Sequence, residues 1–177
     1  MVTLTDGASV SSGLLVARLV FGIMMAAHGT QKLFGWFGGY GLTGTGGFFE
    51  TIGFRPGRLF AAVASVTEIT GGLLLALGFL GPVGPALIIA VMIVAAISVH
   101  WQGGLFAGSN GIEVPLLYAA GAVALALTGP GRFSLDALLG LDAIWTPAIV
   151  WAAIAIGVVG GVVNLGLRRS APQPAAA

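Results

Sequence analysis

The stretch VGPALIIAVMIVAAISVHW, from Val83 to Trp101, decides the fold. It contains no Asp, Glu, Lys or Arg. At 1.5 Å per residue, a helix of this length covers most of the roughly 30 Å of bilayer hydrocarbon. Backbone polar groups cannot go unpaired in lipid, so a spanning segment is a helix or a strand of a closed barrel. Barrel strands run about ten residues and alternate apolar with polar side chains. This run is longer and does not alternate, so it reads as a transmembrane helix.

Four further apolar runs surround it: about Leu14–Phe34, Arg58–Leu80, a shorter Glu113–Thr128, and Pro147–Leu167. The composition agrees. The chain has 177 residues, 57% hydrophobic and 7% charged, where soluble domains carry roughly 25% charged residues. Mean hydropathy is +1.03. The expected fold is all-α, a polytopic transmembrane helix bundle with the lipid bilayer as its first partner. A net charge of +1 argues against a nucleic-acid partner, which needs a basic face. With no cysteine, the chain cannot form disulfides, thiolate metal sites or iron–sulfur ligation. A cleaved signal peptide fits poorly, because residues 1–12 hold no Lys or Arg and Arg18 lies inside the first apolar run.

The connections are unequal. Gly81-Pro82 makes a tight turn. Residues 35–57 form a long, glycine-rich linker with Trp36, Phe37, Tyr40, Phe48, Phe49 and Phe54, aromatics that suit the headgroup level. This loop is expected to lie in the interface and cover one mouth of the bundle. Ser134-Leu135-Asp136-Ala137-Leu138-Leu139 reads as a short, Ser-capped amphipathic surface helix. The domain layout expected is an N-terminal segment 1–13, a four-helix membrane domain 14–142, a further transmembrane helix 143–169 and a disordered tail 170–177. Placing the N-terminus outside puts Lys32, Arg55, Arg58, Arg168 and Arg169 on the inner side, against Arg18 and Arg132 towards the outer side. The positive-inside bias therefore favours N-out and C-cytoplasmic.

Polar residues gather at that inner end. His28 and Lys32 end the first helix, His100 ends the third, and Glu113 begins the fourth. Glu68 sits about halfway along the second helix. Ionisable residues at membrane depth are costly and mark candidate sites. His28, Lys32, Glu68, His100 and Glu113 are thus expected to form one polar pocket. Arg18 is the first expected ion-pair partner of Glu68, and His28 the second. Each residue also has a structural reading: Lys32 snorkelling to headgroups, Glu113 in a capping box with Asn110. Gly157 and Gly161 form a Gly-x-x-x-Gly packing pair, serving either the chain's own bundle or a second protomer. No metal site is expected, because no ligand motif is present. A bis-histidine haem is disfavoured because His28 and His100 are offset by about 8 Å along their helices.

These segments carry a resemblance. Leu15-Val16-Ala17-Arg18 is followed by His28-Gly29-x-x-Lys32-Leu33-Phe34-Gly35, Glu68-x-x-Gly71-Gly72-Leu73-Leu74-Leu75 and His100-Trp101. Then come Gly111-Ile112-Glu113, Leu116-Leu117-Tyr118 and Gly129-Pro130-Gly131-Arg132-Phe133-Ser134-Leu135-Asp136. In this order the chain resembles the DoxX family of small bacterial membrane proteins over residues 14–142. The resemblance implies a four-helix DoxX-like core, to which this sequence adds a fifth C-terminal helix. It also implies a bacterial inner-membrane location and a link to redox metabolism. The expected function is a quinone-associated subunit or membrane anchor of an oxidoreductase system, with oxidoreductase or respiratory-complex subunits as partners. It would be a non-autonomous subunit of such an enzyme, with quinone the cofactor and none attached covalently. A small-molecule carrier or channel and a non-catalytic scaffold are the alternatives. Catalytic residues are not assigned.

Overall fold

The computed structural model describes residues 4–169, and these are helical without strands. α1 spans Leu4–Phe34, α2 Gly41–Thr51, α3 Gly57–Leu77 and α4 Val83–Ala95. α5 spans Glu113–Thr128, α6 Leu135–Leu139 and α7 Pro147–Gly166. α4 continues through a π-helical turn at Ala96–His100 and a tight turn at Trp101–Gly103. α1 already begins at Leu4, so it takes in most of the segment set apart above as 1–13. The tail expected at 170–177 lies outside the described residues.

α1, α3, α4 with its extension, and α7 are each long and apolar enough to cross a membrane. α5 has 16 residues, about 24 Å at 1.5 Å per residue. It nevertheless travels from one end of the bundle to the other. Its first residue is tied to the turn after α4, with the Glu113 amide donating to Leu105 at 2.8 Å. Beyond its last turn the chain reaches the α3–α4 connection, where the Asp136 amide donates to the Gly78 carbonyl at 3.0 Å. The described chain therefore runs the length of the bundle five times, four of these as helices long and apolar enough to cross a membrane. α1 packs along α3, α3 against α4, and α4 against both α5 and α7.

Small residues let these helices touch. A Cβ on Gly22 would fall 2.5 Å from the Gly72 carbonyl oxygen, and one on Gly29 would fall 2.7 Å from that of Ser65. α7 uses the expected glycine pair on its own bundle: Cβ atoms at Gly157 and Gly161 would lie 2.6 and 2.9 Å from the carbonyls of Ala86 and Ala90. In lipid no hydrophobic force presses helices together, so close van der Waals contact of this kind supplies the cohesion. Met25, Leu75, Ile88, Met92, Leu125 and Ile154 fill the centre. Val16, Val20, Ile23, Val66, Leu77, Val159 and Val163 point outwards and are exposed, as a lipid-facing surface requires.

The linker 35–57 is more ordered than its composition suggests. Four glycines lie within Gly41–Thr51, each costing about 1 kcal/mol of helix propensity relative to Ala. The segment still forms α2, which packs on α3 and α1. Contact outweighs propensity here: Cβ atoms at Gly46 and Gly57 would lie 2.9 Å from Arg58 Cγ and 2.0 Å from the Gly46 oxygen. The loop thus covers the end of the bundle as expected, but as a helix.

Candidate functional site

Glu68 lies in the middle of α3, on a buried stripe with Ala61, Ser65 and Gly72 that faces α1. Its side chain is 3% exposed. Lys32 in the last turn of α1 meets it, with Nζ 2.5 Å from both carboxylate oxygens. This pair replaces the expected Arg18–Glu68 pair, and the reason is helix geometry. Gly22 meets Gly72 and Gly29 meets Ser65, so Glu68 is level with Ala26. Lys32 is then about 9 Å away along the axis and Arg18 about 12 Å away on the other side. Helical side chains lean towards their own N-terminus. In antiparallel α1 and α3, Lys32 and Glu68 therefore lean towards each other, and Arg18 leans away.

The pair opens on a cavity of about 730 Å³, within the roughly 300–1,000 Å³ of small-molecule sites. α3 supplies Phe60, Val63, Ala64, Thr67 and Glu68; α4 and its extension supply Ala90, Val94, Ser98 and His100. α7 supplies Gly160, Gly161 and Asn164, and α2 contributes Thr45, Phe48 and Phe49. Phe49, Phe54 and Phe60 stack in series with centroids 5.8 and 5.2 Å apart. Lys32 is 30% exposed. Two of its three N–H groups suffice for Glu68, so a third remains for a ligand.

His100 reaches the cavity from the π-helical turn, a feature often found at functional sites. Its Nδ1 is 3.0 Å from the Asn110 carbonyl. A carbonyl only accepts, so Nδ1 carries the proton and Nε2 is left as an acceptor in the neutral ring. His28 and Glu113 do not line the cavity, which corrects the expectation of one pocket holding all five residues. His28 turns towards Gln31, with Nδ1 3.1 Å from its side-chain oxygen, and packs edge-on against Tyr118 of α5. Glu113 accepts from the Ala107 amide at 2.7 Å. It braces the 104–109 turn rather than closing a capping box with Asn110, because the residue preceding α5 is Ile112. Thr67, Phe48 and Asn164 were not anticipated at the site. Asn164 had a signal, being the one amide or charged side chain in the apolar run 147–167.

Arg18 belongs to a second polar cluster at the other end of the bundle. Its Nη2 donates to the Phe133 carbonyl, and the residue is 1% exposed. Beside it, fully buried Asp136 accepts from the amides of Leu80 at 2.9 Å and Gly81 at 2.6 Å, and from Trp145 Nε1 at 2.8 Å. Ser134 caps α6 as expected, accepting from the Ala137 amide. Gly78 is required here, since any Cβ would overlap Arg18 Nη1 and its φ is +61°. The cluster ties α1, the α3–α4 turn, α6 and the start of α7 together. Among the described residues no group of three or more His, Asp or Glu could hold a metal ion.

The family model described as DoxX matches residues 13–101. The chain belongs to the DoxX family. It is also 30% identical over 127 residues to the inner membrane protein YqjF of Escherichia coli (strain K12), covering 72% of this chain and 92% of the relative. No solved structure matches it. With its apolar helices, this DoxX chain is a multi-pass membrane protein. The matched region holds Lys32, Glu68 and His100, whereas the α7 wall of the cavity lies beyond it.

Proposed function

We propose that this DoxX protein is a quinone-binding membrane subunit of a redox system in the bacterial inner membrane, oriented N-out and C-cytoplasmic. It would serve oxidoreductase or respiratory-complex partners. One observation carries the reading: a part-buried ion pair with a spare N–H opens on a largely apolar cavity. A quinone needs donors for its carbonyl oxygens and an apolar surround for its ring and tail. Lys32 offers a charge-assisted donor. Glu68 holds that ammonium in place, and the phenylalanines offer ring faces for stacking. The cavity reaches no further along α3 than Glu68, along α4 than Ala90, and along α7 than Gly160. A terminal pocket of that kind favours binding over the carrier or channel alternative, which needs a path to the opposite side.

The test is quinone titration of the purified protein in nanodiscs. His28→Ala should bind as the wild type does. Lys32→Met/Glu68→Leu, which removes both charges together and so keeps the fold, should lose at least about tenfold in affinity, one good charged hydrogen bond. Wild-type affinity in the double variant, or no quinone binding by the wild type, would refute the proposal.

A further inference from the structure

Resting on that reading of the pocket, we infer that its ligand arrives sideways from the bilayer, between α3 and α7. Gly160 is the residue that keeps this passage open for an apolar tail. The first observation is a contrast within one helix. Gly157 and Gly161 are needed for packing, since their Cβ atoms would strike the α4 backbone. Gly160 is not: its Cβ would meet a single atom within 4 Å, Ala90 Cβ at 4.0 Å. Yet Gly160 lines the cavity and is exposed. A side chain there would project into the cavity mouth instead of into a neighbouring helix.

The second observation is the opposite wall. Val63 of α3 lines the same cavity and is 49% exposed, so the cavity meets the lipid-facing surface on both sides of the gap. The third is the end of the gap nearest water, which is strapped shut. The Arg169 amide donates to the Gly53 carbonyl at 2.8 Å, and Arg168 Nε donates to the Ile52 carbonyl at 3.0 Å. The Arg168 guanidinium also lies over the Phe54 ring, 5.8 Å from its centroid. Gly160 is eight residues before that strap, about 12 Å deeper in the membrane. The unblocked side of the gap therefore lies at hydrocarbon depth. An amphiphile with a compact polar head and a linear apolar tail fits this geometry: head at Lys32 and Glu68, tail leaving over Gly160 and Val63 into lipid.

The experiment compares Gly160→Phe and the milder Gly160→Leu with the wild type. Gly166→Phe is the control, because it changes a glycine that faces open space and lies outside the cavity. The probes are a decyl-substituted benzoquinone, the same ring without the tail, and palmitate. Either Gly160 variant should weaken the decyl compound by about tenfold or more, the loss expected when two or more methylenes are kept out of the slot. The tailless ring should change less than about twofold, well under the effect of one misplaced methylene. Wild-type protein that binds palmitate but neither quinone, with the same Gly160 sensitivity, would refute the quinone reading and support the lateral passage. Equal binding of the tailed probes in wild type and both Gly160 variants would overturn the inference. So would an equal loss in Gly166→Phe, or no wild-type binding of any tailed probe.

Discussion

Lys32→Met removes the cation from a pair whose two halves are buried unequally. The Glu68 side chain is 3% exposed and that of Lys32 is 30% exposed. Breaking a buried pair by deleting one partner costs about 3–5 kcal/mol, because the other charge is left uncompensated. The converse change, Glu68→Gln, leaves a lysine that can turn its ammonium into the cavity, and should cost less. Thermal unfolding in detergent micelles, followed by circular dichroism, reads the order directly. By soluble-domain scaling of about 2–4 °C per kcal/mol, Lys32→Met should lower Tm by about 10 °C at pH 7. Glu68→Gln should lower it less, and Lys32→Met/Glu68→Leu least of all. A Lys32→Met protein as stable as wild type, or a Lys32→Met/Glu68→Leu protein less stable than Lys32→Met, would refute the reasoning.

Asp136→Ala deprives three donors of their acceptor, so it should destabilise by at least about 3 kcal/mol by the same thermal assay. Gly157→Leu and Gly161→Leu should loosen α7 from α4. The cysteine-free chain makes this measurable as lost cross-linking between cysteines introduced on the two helices. His100→Ala removes the ring that holds the Asn110 carbonyl, a hydrogen bond worth about 1 kcal/mol. Limited proteolysis should then cut residues 102–112 several-fold faster, while cleavage elsewhere stays as in the wild type.

The candidate site was legible in outline. Lys32 and His100 could be placed at one end of the bundle, with Glu68 behind them, because connection lengths and alternating direction fix which helix ends meet. Depth counted in residues then misled the choice of partner for Glu68. Lys32 lies about 9 Å from it along the axis and Arg18 about 12 Å on the other side, and the lean of side chains along antiparallel helices brings Lys32 closer still and takes Arg18 further away. His28 and Glu113 share the right end of the bundle but not the cavity. Their rotation about α1 and α5 turns His28 to Tyr118 and Glu113 to the Ala107 amide. α2 was hidden because its glycines argue against a helix, and only the close fit of Gly46 and Gly57 between α2 and α3 makes one worthwhile.

By itself the sequence determined that this chain lives in a bilayer and crosses it as helices. Apolar runs of that length leave no other way to pair the backbone in lipid, and so few charges cannot build a wetted surface. Local chemistry likewise placed the Ser134 cap and the Gly157–Gly161 contact face, since each depends on residues a turn apart. The tertiary structure decided which charges pair, which helix faces surround the cavity, and that α7 closes one of its walls while leaving Gly160 open. Those are properties of relative rotation, tilt and register between helices far apart in the chain. They are set by close steric fit, and no single segment encodes them.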